Sequence, residues 1–200
     1  MSSMDFARRV LLAVAVATLC SCSSTAGTSV DESDPVFEEL IQNALVNAEA
    51  GGASQDQLDV LQAAQLSGEV TLEQARQAAR ATVACFGEAG LLGTFVESTE
   101  PSGLIVPGYT VGTQSDDMTE IDRCDHENGF WVNQVYQLQP SSEQLRTDLF
   151  EAKADELRAC LEDAGYATEP DATGAELARQ ASAVAADTSG EVDCMTIVGQ

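Results

Sequence analysis

The residues best equipped for chemistry here are six cysteines, a single histidine and a crowd of carboxylates. Asp116, Asp117, Glu120, Asp122, Asp125 and Glu127 gather around Cys124 and His126, and oxygens at that density suit a hard cation such as calcium. An EF-hand register fails, however. With Gly129 as its sixth position the first ligand is Cys124, and with Gly68 it is Ala63; neither supplies the carboxylate needed there. A calcium-binding module on the acidic loop Asp116 to Glu127 is thus an alternative reading without an assigned metal ligand, beside the plainer one of a solvated acidic loop. His126 must serve any Ser-His-Asp or Cys-His mechanism, and no nucleophile motif such as G-x-S-x-G accompanies it. A hydrolase using His126 is the second alternative; no catalytic residue is assigned.

Cys20 and Cys22 sit apart from the other thiols, at the end of a short apolar run from Val10 to Leu19 that follows Arg8 and Arg9. That run is far shorter than the roughly 20 residues a membrane-spanning helix needs, so Met1 to Ser21 reads as a cleaved export signal. Leu19-Cys20-Ser21-Cys22 resembles a bacterial lipoprotein signal, with an aliphatic residue three places before a cysteine, small Ser21 beside the cut and a polar run after it. Using Cys20 instead would put bulky Leu19 at the cut. Cys22 is therefore the expected lipidation site, carrying a thioether-linked diacylglyceryl and leaving the chain on the outer face of the cell membrane. Two acyl chains, at about 0.8 kcal/mol per buried methylene, hold where one would exchange.

Cys85, Cys124, Cys160 and Cys194 remain, an even set in an exported chain, and two disulfides are the default. No C-x-x-C pair is present, which argues against thiol redox chemistry. A weak internal repeat orders them: Ala84-Cys85-Phe86-Gly87-Glu88-Ala89-Gly90 aligns with Ala159-Cys160-Leu161-Glu162-Asp163-Ala164-Gly165 in the frame A-C-x-x-x-A-G. Each repeated cysteine is followed by one more, at Cys124 and Cys194. The symmetry favours Cys85 with Cys124 and Cys160 with Cys194, with the two other pairings still open. Each loop would contribute about 3 to 4 kcal/mol in the chain-entropy model.

The composition narrows the partners. Net charge is −24 over 200 residues, and losing Arg8, Arg9 and Asp5 with the signal leaves −25, with Lys153 the only lysine. Such a surface is repelled by phosphate backbones and anionic headgroups, so nucleic acid is excluded as a partner. There is no Gly-rich phosphate loop, and no cofactor is expected. The expected partners are membrane lipid, through Cys22, and an unidentified protein or envelope component.

These residues must be positioned mainly by helices. Residues 22–34 (Cys22-Ser-Ser-Thr-Ala-Gly-Thr-Ser-Val-Asp-Glu-Ser-Asp) lack an apolar period and read as a lipidated, flexible tether reaching roughly 20 Å. The folded part, 35–200, opens with Asp34-Pro35 as a helix start and an apolar stripe of Phe37, Leu40, Ile41, Ala44, Leu45 and Ala48 up to Gly51-Gly52. Capping boxes at Ser54/Gln57, Thr71/Gln74, Ser141/Gln144 and Thr173/Glu176 predict further helices, the one from Ser141 to Ala164 being the longest. Trp131, Val135 and Leu138 fit a short helix ended by Pro140. Between Leu91 and Thr113 the texture is that of a β-hairpin turning at Pro101-Ser102-Gly103, and Met195 to Val198 reads as a final strand. Trp131, Phe130 and Tyr136 suit core packing better than a ligand groove, because large side chains are scarce. The expected fold is α+β, predominantly α-helical, in one disulfide-stapled domain.

Gly68-Glu69-Val70-Thr71-Leu72-Glu73, then Thr82-Val83-Ala84-Cys85 with Ala89-Gly90, and a distant Cys124 followed by Val135-Tyr136 resemble small cell-envelope lipoproteins of high-GC Gram-positive (actinobacterial) bacteria. The match spans about half of the chain, and that family has no assigned activity. It implies the compartment rather than a reaction: an exported, membrane-anchored lipoprotein, non-catalytic, acting as an envelope or interaction protein.

Overall fold

Helix α1 (Pro35–Ala50) buries Phe37, Ile41, Ala44, Leu45 and Ala48 of the apolar stripe, with Leu40, its sixth member, only partly buried against the same cluster. Helix α2 (Gln55–Ser67) follows and stops at Gly68 in the left-handed conformation. In helix α3 (Leu72–Glu88) the capping box is complete: Thr71 Oγ1 accepts from the Gln74 amide, and Gln74 Oε1 accepts from the Thr71 amide at 2.8 Å. The computed structural model describes residues 35–112 and 118–199; Cys22, the signal segment, the tether, and Asp116 and Asp117 lie outside the described residues.

Strands β1 (Leu92–Thr99) and β2 (Ile105–Gly112) form an antiparallel hairpin in which Phe95 pairs with Tyr109 and Val96 with Gly108. One face lies on α3, where Phe86 meets Tyr109 edge to face at 4.9 Å. Then come α4 (Thr119–Asn128), α5 (Phe130–Leu138), α6 (Pro140–Ala152), α7 (Ala154–Asp163), α8 (Gly174–Asp187) and a 3-10 turn at Cys194–Val198. The fold is predominantly helical with one small sheet and two disulfides.

Apolar residues collect in two main clusters. The first joins α1, α2, α3 and α5 around Ile41, Leu61, Val132 and Val135. The second joins α7, α8 and the final turn around Leu157, Leu161, Leu177 and Val198. Arg146 ties α6 to α5 and the hairpin: its guanidinium holds Glu100 at the hairpin turn through bonds of 2.9 and 3.0 Å, and it also donates to the Gln137 carbonyl and to Glu143. This two-pronged grip fixes direction as well as distance.

Four expectations are corrected. The acidic segment is not a loop from residue 119 onward but helix α4: Arg123 ion-pairs with Glu120 at 2.9 Å and Glu127 at 2.7 Å, offsetting the repulsion, while Ile121 and Cys124 anchor the inner face. The long helix from Ser141 is two helices broken at Lys153. At the break α8 presses in so closely that a Cβ on Gly174 would overlap the Phe150 carbonyl and the Glu151 amide, and the Gly174 amide donates to Glu151 at 2.9 Å. Pro140 opens α6 rather than merely ending α5, so Gln139 is the cap and the Ser141 box does not form; Ser142 instead donates to the Tyr136 carbonyl at 2.7 Å. The Met195–Val198 strand is a 3-10 turn, drawn against α7 by the Cys160–Cys194 bridge.

Candidate functional site

The sulfurs pair as the repeat suggests. Cys85 bonds to Cys124 and Cys160 to Cys194, with Cα separations of 5.6 and 5.9 Å. The repeat A-C-x-x-x-A-G has a structural meaning that spacing alone conceals. In both copies the glycine is left-handed (Gly90 φ 78°, Gly165 φ 87°), and the residue after it returns its amide to the helix, Leu91 to the Phe86 carbonyl and Tyr166 to the Leu161 carbonyl, each at 2.9 or 2.8 Å. Gly90 likewise donates to Gly87 and Gly165 to Glu162. This is the Schellman ending, in which two orphaned carbonyls are satisfied and an apolar residue folds back over the last turn. The repeat is therefore a disulfide set one turn before a Schellman stop, made twice.

Around the first bridge lies the group with the most potential chemistry. Tyr109 comes from β2, Asp125 and His126 from α4, and Phe130 and Trp131 from α5. The Tyr109 phenol donates to Asp125. Burial raises the Asp125 carboxyl above its usual range, aided by the charge of Asp122 and opposed by Tyr109 and His126. Burial also raises the Tyr109 phenol, with Asp125 adding to the effect. A protonated Asp125 is thus easier to form here than in water. His126 stacks on Phe130 at 4.6 Å and meets the edge of Trp131 at 6.0 Å. Its Nδ1 lies 2.8 Å from the Asp122 carbonyl, an acceptor, which assigns the proton to Nδ1. Among the described residues no hydrogen bond links His126 to a hydroxyl, a thiol or a carboxylate, so the contact a nucleophile and base share is not made.

A buried glutamine builds this corner. Gln57 is 2% exposed. Its Nε2 donates to the His126 and Glu127 carbonyls at 2.8 and 2.9 Å, and its Oε1 accepts from the Trp131 and Val132 amides at 2.9 and 3.3 Å. One side chain thereby serves the last carbonyls of α4 and the first amides of α5, groups that helix ends leave unmet. This is why the Ser54/Gln57 box is only half made. Ser54 accepts from the Gln57 amide, but the Ser54 amide goes to the Glu127 carbonyl at 2.8 Å instead of to the Gln57 side chain.

No protein family, no curated protein and no solved structure matches the chain.

Helical geometry disperses the acidic residues. Glu120 and Glu127 share the Arg123 face, Asp125 turns inward to Tyr109, and Asp122 is exposed. Among the described residues no three His, Cys, Asp or Glu side chains converge to hold a metal ion. A cation module on this segment would first have to displace the ion pairs of Arg123. Tyr136 is 6% exposed and lies in the first core cluster, with Trp131 packed against it, so these two aromatics act as packing. Sequence reading missed Gln57 as a bridge, Tyr109 as the partner of Asp125, and Arg146 as the tie from α6 to α5 and the hairpin turn. Only Arg146 left a signal, as one of few cations in an acidic chain.

Proposed function

We propose that the chain is an exported lipoprotein, held at the outer face of the cell membrane by a diacylglyceryl group on Cys22, whose folded part is a non-catalytic envelope or interaction component. The observation that carries this reading is Leu19-Cys20-Ser21-Cys22 at the end of a short apolar run, directly before a polar tether. Two supports stand beside it. The four remaining cysteines are all consumed in disulfides, which persist in oxidising compartments and are rare in the cytosol. Among the described residues no helix is long and apolar enough to cross a membrane. A strongly anionic surface stands off anionic headgroups, consistent with a domain carried on a tether. The resemblance to actinobacterial envelope lipoproteins points to the same compartment.

The test is fractionation of the full chain and its Cys22→Ala variant. The native chain is expected in the membrane fraction, released by detergent and not by high salt, and the variant in the soluble fraction. Equal membrane retention of both would overturn the anchor.

A further inference from the structure

The two edges of the hairpin are treated differently. The Glu100 amide donates to the Leu104 carbonyl at 2.8 Å, so even-numbered residues of β1 point their backbone groups at β2, and Gly93, Phe95, Glu97 and Thr99 point theirs away. On β2 the outward positions are Ile105, Pro107, Tyr109 and Val111. There Pro107 has no amide to offer, and the Ile105 carbonyl accepts from the Tyr136 hydroxyl at 2.9 Å. The half of that edge nearest the turn, Ile105 and Pro107, is thus closed in the ways that blunt strand pairing. The outward groups of β1 meet no partner among the described residues. Strand β1 has eight residues, no proline, and Glu97 as its sole charge.

The outer face of the same hairpin exposes Leu92, Thr94, Val96 and Ser98 from β1 and Thr110 and Gly112 from β2, with Gly108 half-buried and Val106 turned in against the first core cluster. None is charged, in a chain with 33 acidic residues. Leu92 is 83% exposed and Val96 37%.

We propose that β1 is the site at which a second copy of this chain adds, antiparallel, to make a four-stranded sheet across a twofold axis. Symmetry permits few registers, and the side chains choose among them. With Glu97 on the axis, two carboxylates would face each other directly, which destabilises a pair. With Phe95 on the axis, Thr99 loses its place in the ladder. With Val96 on the axis, all four outward residues pair, Gly93 with Thr99 and Phe95 with Glu97 of the other copy. That register brings a carboxylate to Arg80, whose other ion pair is a long one to Glu73 at 3.8 Å. Arg80 lies over the Phe95 ring, 4.6 Å from its centre, so the incoming Glu97 arrives beside a guanidinium, while its own Arg76 still holds it at 2.7 Å. On the outer face Val96 meets its own copy, an apolar pair at the closest point of the ladder. The inference does not rest on the lipid anchor.

The experiment is cysteine cross-linking in the full chain, read on non-reducing gels in membrane and soluble fractions alike. Val96→Cys is expected to give a covalent dimer, because directly opposed residues at such positions lie about 4.5 Å apart at Cα. Thr94→Cys alone and Ser98→Cys alone are expected to stay largely uncross-linked, since each lies roughly 13 Å from its own copy. Co-expressed, these two variants are expected to cross-link to each other. As a second measurement, Val96→Lys should weaken self-association about fivefold in sedimentation without lowering the melting temperature, by setting like charges opposite one another. A Val96→Cys chain that cross-links no better than Thr94→Cys, or a native chain that sediments as a monomer at every concentration, overturns the proposal; a foreign strand on β1 would give the same outcomes.

Discussion

The side-chain oxygen of Gln57 accepts the backbone amide of Trp131 at 2.9 Å, across 74 positions of sequence. Together with the three other bonds of Gln57, it makes one buried side chain the joint on which α4 and α5 turn. Replacement by leucine would leave the His126 and Glu127 carbonyls and the Trp131 and Val132 amides in an apolar setting. An unmet buried group costs about 1 to 3 kcal/mol. Allowing for relaxation, Gln57→Leu should lose about 2 to 4 kcal/mol. Trp131 is the sole tryptophan, so its fluorescence in a denaturant titration reports this corner.

The two Schellman stops yield a matched pair of variants. Gly90→Ala and Gly165→Ala each place a Cβ in the left-handed region, at a cost of about 1 to 2 kcal/mol apiece. Nothing lies within 4 Å of either added atom, so the penalty is one of backbone conformation alone. The sites belong to separate clusters, and the double variant should lose the sum. Urea midpoints of the three variants check both the size and the additivity.

Two carboxyl groups bend the pH profile in opposite directions. The Arg146 guanidinium, assisted by Ser102, holds Glu100 below the usual carboxylate range against partial burial. A depressed value in the fold means stability present at neutral pH and lost as pH falls through that value. Glu100→Gln should therefore lower the melting temperature at about pH 7 and shrink its fall towards about pH 3. Asp125 is the reverse, raised by burial, so its contribution is present in acid and lost as pH climbs through its folded value. Asp125→Asn should cost little at about pH 7 and remove that second slope. Melting curves of both variants across this range decide the signs.

How much of this was legible follows from the range of each interaction. The stripe of α1 and the boxes at Thr71 and Thr173 depend on residues three or four apart, and all of them form. The disulfide pairing was readable because the two helix ends that carry it are built alike. Long-range contacts were not. At the break by Lys153, Gly174 packs against Phe150 from more than twenty positions away, and no local signal in Ser141 to Ala164 marks that contact. Charge density around His126 suggested a loop, yet Arg123 stands at the two spacings that let a helix carry those acids. At Gln57 the local rule was half right, since a buried partner outbid the cap for the side chain.

The claim beneath the functional reading is that Cys22 leaves the cytoplasm lipidated while the later cysteines are oxidised in pairs. Mass spectrometry of the mature protein, extracted from membranes and alkylated without reductant, tests both halves at once. The expected result is an N-terminal peptide beginning at Cys22 with a diacylglyceryl mass, and no alkylation at Cys85, Cys124, Cys160 or Cys194. An unmodified N-terminus beyond residue 22, or alkylation at all four later cysteines, would contradict it.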